Sequence, residues 1–376
     1  MMVMPLGPDF AKALGIPASE LGLVGGSYTA AASVSGIVCS FFLDRYDRRK
    51  VLFLAMLGLA LGTIVGGFAT DLTTLLAARV VAGLFGGPAT SVSLSIIADV
   101  VAPARRGRAM GAVMGMFSLA SIAGVPLALE MARLGGWRIP FFAIGGVALI
   151  ITATVIALLP PMRGHLTPSP FTGADSPLLR RPEVLQTYFA IFLSMFGSFL
   201  MIPNLSAFFQ FNLGYPRERL GMLYFVGGSV SFIVMRLAGR LIDRYSGYAA
   251  ALVSAAVIIV TLCVGYIVSP PLLPAVVIFT GFMVGMSIRG VVVSSLASRV
   301  PRPAERARYM SFQSAVQHIA CALGAIASTH FLHEAPGSVL IGMPGLAIAT
   351  AILTAFVPFI LGSVERRVRS KEAIQT

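Results

Sequence analysis

The chain is a series of long apolar runs separated by short charged loops, and this alternation bounds what it can fold into. The runs lie at 21–42, 51–70, 73–98, 108–131, 139–159, 187–211, 221–242, 248–268, 274–297, 308–329 and 344–362. About 20 apolar residues in a helix span the hydrocarbon of a bilayer. Lipid offers the backbone no hydrogen bonds, so each run must satisfy its own as a helix. The expected class is therefore an all-α integral membrane protein. Of 376 residues, 57% are hydrophobic and 11% charged, against roughly 25% charged in a soluble domain, so a soluble fold is excluded.

The chain is also one design written twice. Asp44, Arg45 and Tyr46 recur as Asp243, Arg244 and Tyr245, at an offset of 199 residues. The same offset carries Leu14, Gly15, Pro17, Leu21 and Gly22 onto Leu213, Gly214, Pro216, Leu220 and Gly221. An offset of 200 carries Pro103, Arg106, Arg108 and Met110 onto Pro303, Arg306, Arg308 and Met310. A repeat of this length predicts two bundles of six helices, 1–159 and 187–362, joined by a loop at 160–186 and followed by a basic tail at 363–376. The partner of the stub Met1–Phe10 is the helix that begins near Thr187. Subtracting 199 places the supplied start about a dozen residues inside the first helix, which is thus expected to be short.

A net charge of +13 could suggest nucleic acid, but the placement of the charge argues against it. Of the 28 Lys and Arg, 20 fall in one alternate set of loops and the tail, 5 in the other set and 3 inside helices. That asymmetry puts the loops 43–50, 102–108, 160–186, 240–247 and 299–306, and the C-terminus, in the cytoplasm, as in a multi-pass protein of a bacterial inner membrane. Cys39, Cys263 and Cys321 lie in apolar runs with no metal spacing. No Gly-x4-Gly-Lys-Ser/Thr loop is present, so ATP is not the expected energy source. Neither a cofactor nor a metal is called for.

The charged loop Ser40–Lys50 and its echo Gly239–Gly247 resemble the major facilitator superfamily, whose pattern is Gly-x3-Asp-Arg-x-Gly-Arg-Arg. The first copy has Ser40 and Asp47 at the two glycine positions, whereas the second keeps Gly239 and Gly247. The resemblance implies twelve helices in two halves related by a pseudo-twofold repeat. It also implies a cytoplasmic gate formed by Asp44, Arg45, Arg48 and Asp99, with Gly239, Asp243 and Arg244 in the second copy. Arg79-x3-Gly83 resembles the family's fourth-helix motif, whose Arg is associated with proton coupling, with Ala82 in place of its usual polar residue. Gly124-Val-Pro126 onward to Gly136-Trp137-Arg138 resembles the fifth helix of the sugar, nucleoside and drug efflux branch, with Val125 interrupting its Gly-Pro pair.

A charge inside a membrane costs roughly 2.5–3.5 kcal/mol, so each one present requires a reason. Arg289 sits deepest, ~15 Å from the cytoplasmic end, and is expected to face the central cavity beside Arg79, Gln313 and Gln317. Arg236, Arg240 and Asp243 share one face running toward the gate. Three groups could carry a proton. His318 is near mid-membrane and titrates in the physiological range. Asp9 follows the kink-prone Pro5-Leu6-Gly7-Pro8. Glu130 has Arg133 three residues on and may pair with it. The resemblance to the efflux branch implies proton-coupled efflux of a small organic solute by alternating access, and the expected protein is a monomer that is neither an enzyme nor a nucleic-acid binder. The alternatives are import or symport of an anionic solute at Arg289, and a truncated, non-functional copy.

Overall fold

The computed structural model describes residues 2–40, 46–101, 113, 116, 119–163, 178–244, 246–268, 271–301 and 306–375. Within these, the side chains of residues 40, 94, 98, 99, 240–244, 306–308, 311 and 371–375 lie outside the description. The helices are α1 (Gly7–Leu14), α2 (Leu21–Ser40), α3 (Arg48–Gly66), α4 (Leu72–Val100), α5 (Val125–Gly135), α6 (Ile139–Leu158), α7 (Pro182–Met201), α8 (Leu220–Arg244), α9 (Gly247–Leu262), α10 (Ala275–Arg299), α11 (Arg306–Phe331) and α12 (Met343–Gln375). Among the described residues, nine helical spans are long and apolar enough to cross a membrane. Three helices stand apart from those nine. The first is α1, of eight residues; the second is α5, of 11. The third, α11, is 26 residues long and carries Gln313, Ser314, Gln317 and His318.

Two features depart from the sequence reading. Helix α12 runs unbroken to Gln375, through the segment expected as a tail. A small antiparallel hairpin, β1 (His333–Ala335) and β2 (Val339–Ile341), sits between α11 and α12. Its turn uses Gly337 and Ser338, both with positive φ. Asn212 clamps β2 with its side-chain amide, accepting from the Leu340 N–H (3.0 Å) and donating to the Leu340 carbonyl (2.9 Å). The hairpin marks one end of the bundle, called here the hairpin end; the other is the basic end.

Helix ends follow local chemistry. Asp47 caps α3 by accepting from the Arg49 N–H at 3.0 Å, and Ser246 caps α9 through the Ala249 N–H at 3.0 Å. Asp71 and Thr74 form a reciprocal capping box on α4. The repeat extends to backbone conformation. Gly15 and Gly214, one offset apart, both adopt the left-handed region, at φ 63° and 62°. Pro17 and Pro216 then open matching 3-10 turns, Ala18–Glu20 and Arg217–Arg219.

Helix pairing shows the same symmetry. In the first half α2 lies on α4, α4 on α3 and α3 on α6; in the second half α8 lies on α10, α10 on α9 and α9 on α12. The halves meet along α2 with α11 and α5 with α8, two contacts that the 199-residue offset interchanges. One buried cluster draws on both halves, from Phe10, Leu75, Leu129 and Phe141 to Leu205, Phe209, Leu220, Phe279 and Met343, and it lies at the hairpin end. A second cluster, including Ile191, Ala250, Val292, Tyr309 and Leu361, lies toward the basic end and, among the described residues, is drawn from the second half.

Candidate functional site

At the hairpin end the halves are bound by two crossed carboxylate contacts. Arg217 donates through Nε to Asp9 Oδ1 (2.9 Å) and through Nη2 to Oδ2 (2.7 Å), with Nη2 also reaching the Leu129 carbonyl at 3.3 Å. Both side chains are about one-fifth exposed. Glu334 of the hairpin accepts from the Ala18 N–H at 2.6 Å. Ala18 and Arg217 are one repeat apart, so each 3-10 turn is held by a carboxylate from the opposite half. Among the described residues, the hydrogen bonds joining the halves all lie at this end. Glycine allows the backbones to meet there: a Cβ at Gly22 would strike the Ala325 carbonyl and Ser328 Oγ of α11. Its repeat partner Gly221 faces Pro126 of α5.

From the hairpin end toward the basic end, α11 packs on both α2 and α7. Helix α7 carries Phe192 and Phe196 and continues into Ile202–Asn204, which packs on α2. The two rings stack at 5.8 Å with planes 10° apart. On α11, helical spacing puts Gln313 and Gln317 on the stripe of Gly324, which meets α7 at Phe196 and Phe199. His318 lies on the stripe of Ala322 and Ala325, which meets Gly26 of α2. His318 Nδ1 is 2.9 Å from the Ser314 carbonyl. A carbonyl only accepts, so Nδ1 carries the proton of the neutral ring and Nε2 is left to take another. Behind α2, the Arg79 guanidinium lies 4.4 Å over the Tyr28 ring. Gly83 and Gly86 bring α4 against Tyr28, and Gly87 brings it against Ala32 and Ser35.

Other expected site residues lie elsewhere. Arg289 is held within the second half. It is 5% exposed and is enclosed between α7 and α12, donating to the Ser194 carbonyl (3.1 Å), Ser198 Oγ (2.5 Å) and Thr354 Oγ1 (3.3 Å). Neutral oxygens satisfy it, and no carboxylate is within reach among the described residues. Asp9 is engaged at the closed end. Glu130 is half-exposed and takes a forked ion pair from Arg133, at 2.9–3.0 Å from Nε.

Of the gate residues, Asp44 and Arg45 lie outside the described residues. Asp99, Asp243 and Arg244 are described in backbone only, on α4 and α8. Gly239 faces open space. Arg48 begins α3, and its N–H donates to the Met162 carbonyl at 3.3 Å. Beside it Asp47, at a position where the pattern has glycine, has a role that its place in the pattern concealed. It accepts from the Met162 N–H (3.1 Å) and Arg163 Nε (3.2 Å), tying α3 to the chain after α6. Burial pushes its carboxyl up, but these bonds outweigh that and hold it below its ordinary range. Glu365 of α12 matches it in the second half, accepting from the Gly247 and Tyr248 N–H groups that begin α9. The sequence reading also missed Tyr28, Arg217 and Glu334. The only available signal was the position of Arg217 directly after the repeated Pro216.

The sequence matches the Major Facilitator Superfamily over residues 1–325. The chain belongs to that superfamily. It is a membrane transporter and not an enzyme. Over 363 residues, 95% of this chain and 91% of the relative, it is 25% identical to a chloramphenicol resistance protein of Streptomyces lividans. Over 237 residues it is 29% identical to a purine ribonucleoside efflux pump of Escherichia coli O157:H7; that stretch is 62% of this chain and 59% of the pump. The fold is similar to that of a bacterial homologue of the human lysosomal transporter Spinster, solved in an inward-facing and occupied conformation. The TM-score is 0.71, with 15% identity, 97% of this chain covered and 92% of that one.

Proposed function

We propose that this superfamily member exports a small organic solute in exchange for protons, by alternating access, with its basic end in the cytoplasm. The observation that carries this reading is the asymmetry of the two ends. The hairpin end has a core shared by both halves and crossed carboxylate contacts, whereas the buried cluster toward the basic end is drawn, among the described residues, from one half. Such an arrangement admits solute from the basic end and must break its hairpin-end contacts to release it. The efflux named for two relatives supports the direction, and the asymmetry of the basic loops supports the orientation.

His318 is the favoured proton carrier in this reading. It lies on the stripe of α11 that meets α2, with Nε2 free of its own helix, whereas Asp9 is held by Arg217 and Glu130 by Arg133. Arg289, satisfied within one half, no longer supports import of an anion. The test is a solute screen in proteoliposomes under an imposed pH gradient, with wild type beside His318→Gln. The carrier variant should lose gradient-driven accumulation and keep exchange of labelled for unlabelled solute. Full gradient-driven transport by His318→Gln would remove His318 from the mechanism. Flux indifferent to the gradient would remove proton coupling altogether. An outside-active reporter fused after Arg367 should be silent, and strong activity there would reverse the orientation.

A further inference from the structure

The last turns of α12 hold arginines at a fixed depth. The helix has 33 residues, about 50 Å, whereas the hydrocarbon of a bilayer is about 30 Å thick, so its end leaves the bilayer core. Leu361, Val364 and Val368, at helical spacing, are buried in one cluster with Leu178, Val184 and Val300. Among them Glu365, 5% exposed, accepts from the Gly247 and Tyr248 N–H groups at 3.2 and 2.8 Å. Those groups open α9, whose span Gly247–Ile267 is long and apolar enough to cross a membrane. Glu365 is therefore within a side chain's reach of the point where α9 begins its span. Tyr248, exposed and packed beside Gly362, has the amphipathic ring that favours such a boundary.

Arg366, Arg367 and Arg369 follow Glu365 within about 6 Å along the helix axis, and one headgroup layer is about 5–7 Å thick. All three are exposed. Among the described residues, Arg366 reaches only the Gly362 carbonyl of its own helix, at 3.4 Å, and Arg367 has no acceptor. Arg369 shares Glu365 with the two backbone N–H groups, and residues 366–370 bring no carboxylate. We propose that this arc of α12 binds the phosphate of an anionic phospholipid, through Arg366 and Arg367 with Arg369 beside them. A guanidinium matches a phosphate with two parallel hydrogen bonds, and basic residues just outside a span attract anionic lipid. Here the buried valines and Glu365 fix the arginines against the second half, so the lipid is held at one place rather than by a loose tail. The proposal needs α12 to span the bilayer and is independent of the direction of transport.

The test uses the purified full chain in detergent and measures its affinity for labelled dioleoylphosphatidylglycerol, which is anionic, and dioleoylphosphatidylcholine, which carries the same chains without net charge. Phosphatidylglycerol should bind in preference. Arg366→Gln combined with Arg367→Gln should weaken that preference roughly 30-fold, about fivefold for each arginine. Arg219→Gln, at an exposed arginine of the hairpin end, should leave it unchanged. Sodium phosphate should displace the lipid no better than sodium chloride at equal ionic strength. Variants are compared only where they melt with wild-type cooperativity, and if the double variant fails to fold, Arg367→Gln alone decides. Equal affinity for the two lipids, an unchanged preference in the folded arginine variants, or an equal loss in Arg219→Gln would each overturn the proposal. Selective displacement by inorganic phosphate would also overturn it, by assigning the arginines to a free anion.

Discussion

Asp9 and Arg217, 208 residues apart in sequence, form a forked ion pair that closes one end of the molecule across the two halves. The same guanidinium reaches the Leu129 carbonyl of α5, so one side chain fastens three elements. Trp137, the only tryptophan, is buried against Phe10 of the same α1 helix (ring centroids 5.3 Å apart) and Phe141. Asp9→Asn should therefore weaken closure by about 1–2 kcal/mol, roughly 5- to 30-fold in the closed-to-open ratio. The opening should appear as a red shift of Trp137 emission, and the exchange Asp9→Arg with Arg217→Asp should reverse part of it. An unshifted spectrum in Asp9→Asn would mean the pair does not hold this end.

The contact of α2 with α11 can be tested with one methyl group. Gly22→Ala puts a Cβ 2.6 Å from Ser328 Oγ and against the Ala325 backbone. Overpacking of this kind costs about 1–3 kcal/mol, so transport should fall and Trp137 should become more exposed. Gly36→Ala, on the same helix with no atom of the described residues within 4 Å, should leave both unchanged.

Arg289 should behave as a strut of the second half. Its partners are two hydroxyls and a carbonyl on α7 and α12, all within the second half. Arg289→Met, of similar volume, should alter the melting temperature while the affinity for transported solute stays within about twofold, because a buried charge can be replaced by an apolar group without loss of the fold. A selective loss of solute affinity would return Arg289 to the binding site.

The tether at Asp47 should depend on pH. Its folded carboxyl lies below the ordinary value of 3.8, so its contribution is complete above that value and is lost as pH falls through the folded value. Asp47→Asn keeps a comparable helix cap and removes the charge. Wild type should melt higher than the variant by a constant margin from about pH 7 to pH 5, and the margin should shrink below about pH 4. A margin unchanged at acid pH would assign the stabilisation to cap geometry alone.

Much of the architecture was legible because the repeat is local and literal. Leu14-Gly15 and Leu213-Gly214, read as a sequence echo, have the same left-handed helix ends, and Gly22 and Gly221 occupy interchangeable contacts between halves. Position along a helix was legible too, but the facing of a side chain was not. Helix α10 is largely apolar around its circumference, so its sequence could place Arg289 well inside the helix without showing that the guanidinium turns toward α7 and α12. Asp9 could be recognised as a rare acid, but its partner lies in the other half, beyond any local pattern. Asp47 stood out as a departure from a glycine position; only the fold showed that it caps a helix and holds the chain beyond α6. The hairpin at 333–341 is too short to leave a periodic signal.

The glycines flanking α2 have a mechanical consequence. Helices usually lock together when side-chain ridges of one enter grooves of the other. Gly83, Gly86 and Gly87 of α4 lie against α2, while Gly22 and Gly26 of α2 lie against α11. The helix therefore meets α4 and α11 at close backbone range, with the Tyr28 ring seated over Gly86 and Ile326 over Gly26. Displacement along it must release such seated side chains and polar contacts at more than one level, Ala18 with Glu334 at the hairpin end and Ser35 with the Gly83 carbonyl further along.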